Sequence, residues 1–75
     1  PQVKIIVDGR EVGNFIKNEV TINIKHGNII VIENPFADTP ITVLISRQTQ
    51  NIVSPALNAS VNGTGRLYFP PVTLR

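Results

Sequence analysis

Few side chains in this 75-residue chain could carry out chemistry, and they are scattered along it. His26 is the only histidine and there is no cysteine, which excludes a catalytic pair of histidines, a multi-histidine metal site and a thiolate site within one chain. A general acid–base pair needs two carboxyls held at a defined separation in a cleft, and so small a domain offers little cleft. The sequence therefore predicts no catalytic residue, metal ligand or cofactor, and a protein that is not an enzyme. The carboxylates are Asp8, Glu11, Glu19, Glu33 and Asp38.

The basic residues suggest a second kind of chemistry. The net charge is +2, and residues 39–75 contain arginines but no acid. Small basic β-barrels bind single-stranded nucleic acid by stacking bases on exposed aromatic rings beside arginines. Aromatic residues make up only 5% of the chain, so an ordinary solvated surface is the simpler interpretation. For the nucleic-acid alternative, the candidate residues are Arg47, Arg66, Tyr68 and Phe36.

The aliphatic composition indicates which elements position these residues. Valine and isoleucine account for 20 residues, whereas alanine and leucine account for 7. β-Branched side chains lose rotamer freedom in a helix but pack well on a pleated sheet, so the chain is predicted to be built from strands.

Turn signals divide the chain into about seven short strands, followed by a last short segment, Val72–Leu74, that finishes the chain. Asp8-Gly9 and His26-Gly27-Asn28 are typical of tight hairpin turns, and Gly13 predicts a bulge or a close backbone approach. Segments 34–40 and 47–55 are predicted to be loops that let strands change sheets. The strand candidates are Val3–Val7, Glu11–Ile16, Glu19–Lys25, Ile29–Glu33, Ile41–Ser46, Ala56–Val61, Arg66–Phe69 and Val72–Leu74.

Regular strand spacing without helices predicts a single all-β domain over residues 1–75. The expected architecture is a small antiparallel, immunoglobulin-like β-sandwich of six to seven strands, with a partly open β-barrel as the alternative. Glu19–Lys25 alternates almost perfectly and should have one wet face, whereas Ile29–Ile32 is apolar on both faces. The predicted core consists of Ile5, Val7, Val20, Ile22, Ile24, Ile30, Ile32, Val43, Ile45, Leu67 and Phe69.

Two stretches resemble known β modules. Val3–Gly13 is similar to the first hairpin of small extracellular repeat domains and of phage tail or baseplate proteins. Ile32–Pro35 together with Thr39–Val43 resembles the middle strands of immunoglobulin-like sandwiches. Both stretches are short and use common hairpin residues, so neither identifies a family and no functional residue is transferred from either.

The absence of disulfides and thiolate metal sites also predicts a need for partners. One thin core gives roughly 3–5 kcal/mol of stability, and strands that are apolar on both faces need a cover. Free backbone groups at a sheet edge invite strand addition. We therefore expect a homo-oligomer or a larger scaffold protein to bind this chain. The predicted contact residues are Ile29, Val31, Pro70, Pro71, Val72 and Leu74.

The function expected from these features is that of a structural or assembly protein that packs on or links a larger complex. A virion component, such as a phage capsid decoration or tail protein, is the favoured setting by analogy. The alternatives are single-stranded nucleic-acid binding and a bacterial surface or carbohydrate-binding module, with a cytoplasmic or extracellular location. The longest apolar run, Ile29–Ile32, is far too short to cross a bilayer, so no membrane partner is predicted.

Overall fold

A computed structural model describes residues 2–75, and every regular element in that range is a β-strand. All strand pairs are antiparallel, which confirms the all-β prediction. The eight strands are β1 (Lys4–Val7), β2 (Arg10–Asn14), β3 (Ile30–Asn34), β4 (Ile41–Leu44), β5 (Ile52–Ser54), β6 (Ser60–Gly63), β7 (Gly65–Tyr68) and β8 (Thr73–Leu74).

The strands form three small sheets. The largest has the order β2-β1-β3-β7, and the other two are the pairs β4-β6 and β5-β8. One face of the four-stranded sheet, here called the inner face, carries the buried core side chains, and every predicted core residue lies in this core or packs against it. Val72 is fully buried as well and was not among the predicted core residues. The core consists of Ile5, Val7, Ile30, Ile32, Phe69 and Val72.

The first hairpin follows its turn residues. Asp8 and Gly9 have φ angles of 50° and 82°, the left-handed pair that a tight two-residue hairpin requires. The register of β1 against β2 shifts between Ile5 and Ile6, which leaves Val12 as the extra residue. Next to it, a Cβ atom on Gly13 would lie 3.0 Å from Cγ1 of Val20. The bulge predicted as one alternative at Gly13 therefore lies one residue earlier, at Val12, and the close approach to Gly13 is made by a side chain rather than by a backbone.

Segment Glu19–Lys25 departs from its prediction. It was expected to be a strand that pairs with Ile29–Glu33 through a hairpin at His26–Asn28, but it belongs to no sheet. Both edges of β3 are already taken, one by β1 and the other by β7. The predicted alternation is nevertheless present, because exposed and half-buried residues alternate from Glu19 to Lys25. We call Glu19–Lys25 the unpaired segment.

Two further boundaries differ from prediction. The expected loop 47–55 contains the short strand β5, which pairs with β8 at the C-terminal end. The strand predicted at Ala56–Val61 lies later, at Ser60–Gly63, and only Thr64 separates it from β7 in a different sheet. These short pairings involve distant parts of the chain, so local residue patterns could not specify them.

Candidate functional site

The unpaired segment forms one wall of an open cleft of about 610 Å³. Residues 43–49 line the opposite side, and inner-face side chains such as Ile5, Ile30 and Phe69 lie beneath. These deeper side chains are only 3–5% exposed, so the half-buried aliphatic residues of the walls screen them from water. The cleft is therefore an aliphatic groove with a neutral polar rim.

The charged residues of the cleft neutralise each other. Glu19 and Arg47 are the only charged residues that line it within residues 2–75, and Arg47 Nη2 donates a hydrogen bond of 2.6 Å to Glu19 Oε1. Ser46 Oγ donates to the other carboxylate oxygen at 3.2 Å. Among residues 2–75, the Glu19 carboxylate and the Arg47 guanidinium are therefore both engaged, and the lining offers an anionic ligand no unpaired positive charge.

The backbone of the unpaired segment lacks the partners that a strand normally has. Within the described chain, residues 19–24 take part in no backbone–backbone hydrogen bond. Their side chains alternate between exposed and half-buried, which is the pattern of an extended strand with one face on the core. An extended segment with free N–H and C=O groups is a template for an additional strand.

Contacts at both ends hold this segment in place. At its start, Arg47 and Ser46 bind the Glu19 carboxylate. At its end, Lys25 N donates to Asn28 Oδ1 at 2.6 Å, and Asn28 N donates to Lys25 O at 3.1 Å. The Asn28 side chain in turn donates to Asp8 at 2.6 Å. The segment is thus fixed before any partner binds, which lowers the entropy cost of pairing.

The predicted interface residues differ in exposure. Pro70 and Pro71 are exposed and Leu74 is half-buried, but Val72 is fully buried within the chain. Leu74 lies on β8, which pairs with β5. Contact through this end of the molecule thus depends on the two prolines and Leu74.

The two predicted interface residues before and within β3 are partly covered by the chain itself. Ile29 is half-buried. Val31 is 8% exposed and lies between Ile6 and Tyr68 in one cross-strand row on the outer face of the four-stranded sheet. The neighbouring side chains therefore provide much of the cover that the sequence predicted a partner would supply at Val31.

The four candidate nucleic-acid residues do not form one surface. Arg66 and Tyr68 lie two residues apart on β7 and line a shallow groove of about 260 Å³ on the outer face. Arg47 lines the cleft on the opposite side of the sheet. Phe36 is 41% exposed in the β3–β4 loop. Glu33 Oε2 lies 3.4 Å from Nε of Arg66, so the positive charge of Arg66 is partly balanced.

Titratable groups do not assemble into a site in the described chain. No three histidine, cysteine or carboxylate side chains in residues 2–75 are grouped as metal ligands would be. His26 is exposed in a turn, as predicted, and its Nδ1 accepts a hydrogen bond of 3.1 Å from Leu74 N. This bond joins the turn at the end of the unpaired segment to β8.

Sequence reasoning identified the wet face of the unpaired segment but missed its free backbone. The available signal was the apolar run Ile29–Ile32, because a strand covered on both faces normally has a neighbour at each edge. β1 and β7 occupy those edges, so no edge of β3 remains for the unpaired segment.

Comparison with protein-family models, curated proteins and solved structures gives no match of any of these three kinds. None of the described residues forms a helix that is long and apolar enough to span a membrane.

Proposed function

We propose that this chain is a non-enzymatic structural protein that assembles with other protein chains by strand addition at the unpaired segment. The observation that carries this proposal is the pinned, extended backbone of residues 19–24, which has no backbone hydrogen-bond partner among the described residues. Main-chain bonds from an added strand would give affinity, and the half-buried Val20, Ile22 and Ile24 would give it an apolar face to join.

The lining of the cleft supports a non-enzymatic role. Its side chains are apolar or neutral and polar, apart from Glu19 and Arg47, which bind each other. Nucleophilic and acid–base catalysis both require a group with a free proton or lone pair aimed at substrate. A surface that joins chains requires only shape and backbone complementarity.

The architecture we propose is a two-layered sandwich rather than a partly open barrel. The four-stranded sheet forms one layer, and the unpaired segment with the β4-β6 and β5-β8 pairs forms the other. Support comes from the separation of the sheets: the four-stranded sheet shares no strand with the β4-β6 and β5-β8 pairs, whereas even a partly open barrel curves one sheet around its core. An added strand would extend the second layer.

The setting we propose is a large assembly, with a virion favoured and a bacterial surface structure as the alternative. The support is analogy with small β modules that cover or link such particles. A short chain without disulfides gains the most stability from neighbours in an assembly of this kind.

Hydrogen exchange combined with sedimentation equilibrium tests the proposed function. At nanomolar concentration and without partner, the amides of residues 20–24 should exchange within the dead time of the experiment. At high concentration, or with the native scaffold protein, every second amide in this range should become protected, because an added strand bonds the N–H groups on one side of the segment only. The β1 amides, already paired on both sides, serve as the internal control. Assembly that leaves residues 20–24 unprotected, or no association at all, would contradict the proposal.

Binding of single-stranded nucleic acid is the second candidate, favoured by the adjacent Arg66 and Tyr68 on the outer face. Tyr68 is 58% exposed and could stack on a base. Electrophoretic mobility shifts at two salt concentrations distinguish this candidate. Salt-sensitive binding that is lost in Tyr68→Ala but kept in Phe36→Ala would favour it over the assembly role.

A further inference from the structure

Resting on the proposed function, we infer that the strand added to the unpaired segment is the same segment of a second copy of this chain. The two segments run antiparallel about a two-fold axis, so the interface is closed and involves the same residues from both copies. The surface used is the outer edge of the segment, and the partner is a second copy rather than an unrelated strand.

The charges of the segment select this arrangement. The segment has an acid at its first residue, Glu19, and a base at its last, Lys25, with only uncharged residues between them. Antiparallel pairing centred on Ile22 places each Glu19 opposite Lys25 of the second copy, once at each end. Parallel pairing in register would instead place like charges together.

Both charged groups are available for this contact. Lys25 is exposed, and within residues 2–75 no carboxylate lies within salt-bridge distance of it. Arg47 and Ser46 hold the Glu19 carboxylate in position, and Glu19 itself is exposed. A carboxylate whose oxygens can accept further hydrogen bonds at one end and an unpaired positive charge at the other are complementary under a two-fold rotation.

The backbone groups point in the direction that this pairing needs. In an extended strand, the N–H and C=O of one residue point to one side and those of the next residue to the other. Both groups of Lys25 bond to Asn28, which belongs to the body of the same chain. The groups of Val20, Ile22 and Ile24 therefore point to the opposite side, away from that body.

The position of the segment leaves this side open. Val20 and Ile22 pack over Gly13 of β2, and β2 is the edge strand of the four-stranded sheet. The segment thus lies above an edge of the four-stranded sheet, beyond which that sheet has no further strand.

The proposed register also keeps each side chain in a suitable environment. Half-buried aliphatic residues face one another on the core side, so the apolar layer continues across the two-fold axis. The exposed residues between them form non-hydrogen-bonded pairs, in which side chains approach most closely. The pairs are Glu19 with Lys25, Val20 with Ile24, Thr21 with Asn23, and Ile22 with Ile22 of the second copy.

Charge exchange at the two ends of the segment tests this inference by sedimentation equilibrium. Glu19→Lys and Lys25→Glu should each raise the dimer dissociation constant about tenfold or more, because both end pairs then bring like charges together. The double variant E19K/K25E restores opposite charges and should return the constant to within about threefold of the wild-type value.

A matched control separates the contact between copies from the contact within one chain. Arg47→Gln removes the intrachain partner of Glu19, which loosens the start of the segment but brings no like charges together, so it should raise the dimer dissociation constant less than either charge reversal does, by about threefold or less. All of these positions are exposed, and a far-ultraviolet spectrum checks that each variant is folded.

Failure of this inference can be distinguished from failure of the proposed function. A double variant that stays as weak as the single variants, or single variants that associate like the wild type, would overturn pairing with a second copy. A wild-type protein that stays monomeric would also overturn it. If the native scaffold protein then protects residues 20–24 from hydrogen exchange, the proposed function stands with a different partner.

Discussion

At the scale of single residues, Asn34 shows how a polar group can stabilise an otherwise aliphatic interior. It is 2% exposed, and it is the one polar side chain in the described residues that is buried to this degree. Its Nδ2 donates to Thr39 O at 2.9 Å and to Gly63 O at 3.0 Å, and its Oδ1 accepts from Phe36 N at 3.0 Å. One side chain thus ties the β3–β4 loop to the end of β6.

We predict that Asn34→Asp lowers the free energy of unfolding by about 3 kcal/mol, because two carbonyls lose their donor and face a second acceptor. Urea denaturation measures the change. Asn62→Asp is the matched control: Asn62 is exposed and bonds only the Thr42 hydroxyl, so its loss should be about 0.5 kcal/mol or less. Equal losses in the two variants would argue against a structural role for Asn34.

Ile30 offers a test of the core at the same scale. It is 5% exposed, and aspartate there would bury a charge without a partner, so Ile30→Asp should unfold the domain. Ile16→Asp is the control, because Ile16 is 74% exposed and the same substitution should leave the circular dichroism spectrum unchanged. A folded Ile30→Asp variant would contradict the burial of Ile30 in the core.

At the scale of elements, the contrast between β1 and the unpaired segment is instructive. Both have alternating burial, but β1 has a neighbour at each edge and the unpaired segment has none. Alternation reports which face of a segment packs on the core. It does not report whether the backbone at the edges is paired, because that pairing depends on which other strands occupy the neighbouring positions in the sheet.

The β1–β2 turn provides a prediction at this scale. Gly9 has a φ of 82°, and no atom lies within 4 Å of the position that a Cβ would take. Gly9→Ala should therefore cost about 1 kcal/mol through backbone strain alone, without a steric clash. Gly9→Asn should cost less, since asparagine tolerates the left-handed region. Thermal denaturation measures the loss of stability in each variant. Equal losses in Gly9→Ala and Gly9→Asn would contradict a purely conformational cause.

At the scale of the whole molecule, stability and assembly should be linked. The chain builds one core on one face of a four-stranded sheet and has neither disulfides nor a grouped set of metal ligands in the described residues. Any partner that binds only the folded state then raises its apparent stability by mass action.

We therefore predict that the wild-type melting temperature rises with protein concentration, because dilution favours the less stable monomer. In Glu19→Lys, the slope of this dependence should become smaller, since like charges would meet at both ends of the pairing. Differential scanning calorimetry over a wide concentration range measures both. A melting temperature that does not depend on concentration in the wild type would contradict self-association.

The sequence by itself determined the class of the fold and most of its core. Strand content follows from the excess of β-branched residues, turn positions follow from residues that accept positive φ, and inward faces follow from alternation. These are local properties, so the Asp8-Gly9 hairpin, the close approach at Gly13 and the predicted core were all accessible without coordinates.

Only the tertiary structure decided which strands pair and which groups meet. The choice of β1 and β7 as neighbours of β3 left the unpaired segment without a partner. The same packing buried Val72, placed Arg47 and Arg66 on opposite sides of the sheet, and joined Asn34 to Gly63. Pairing between distant segments depends on the competition of all strands for a limited number of edges, and no single stretch of sequence contains that information.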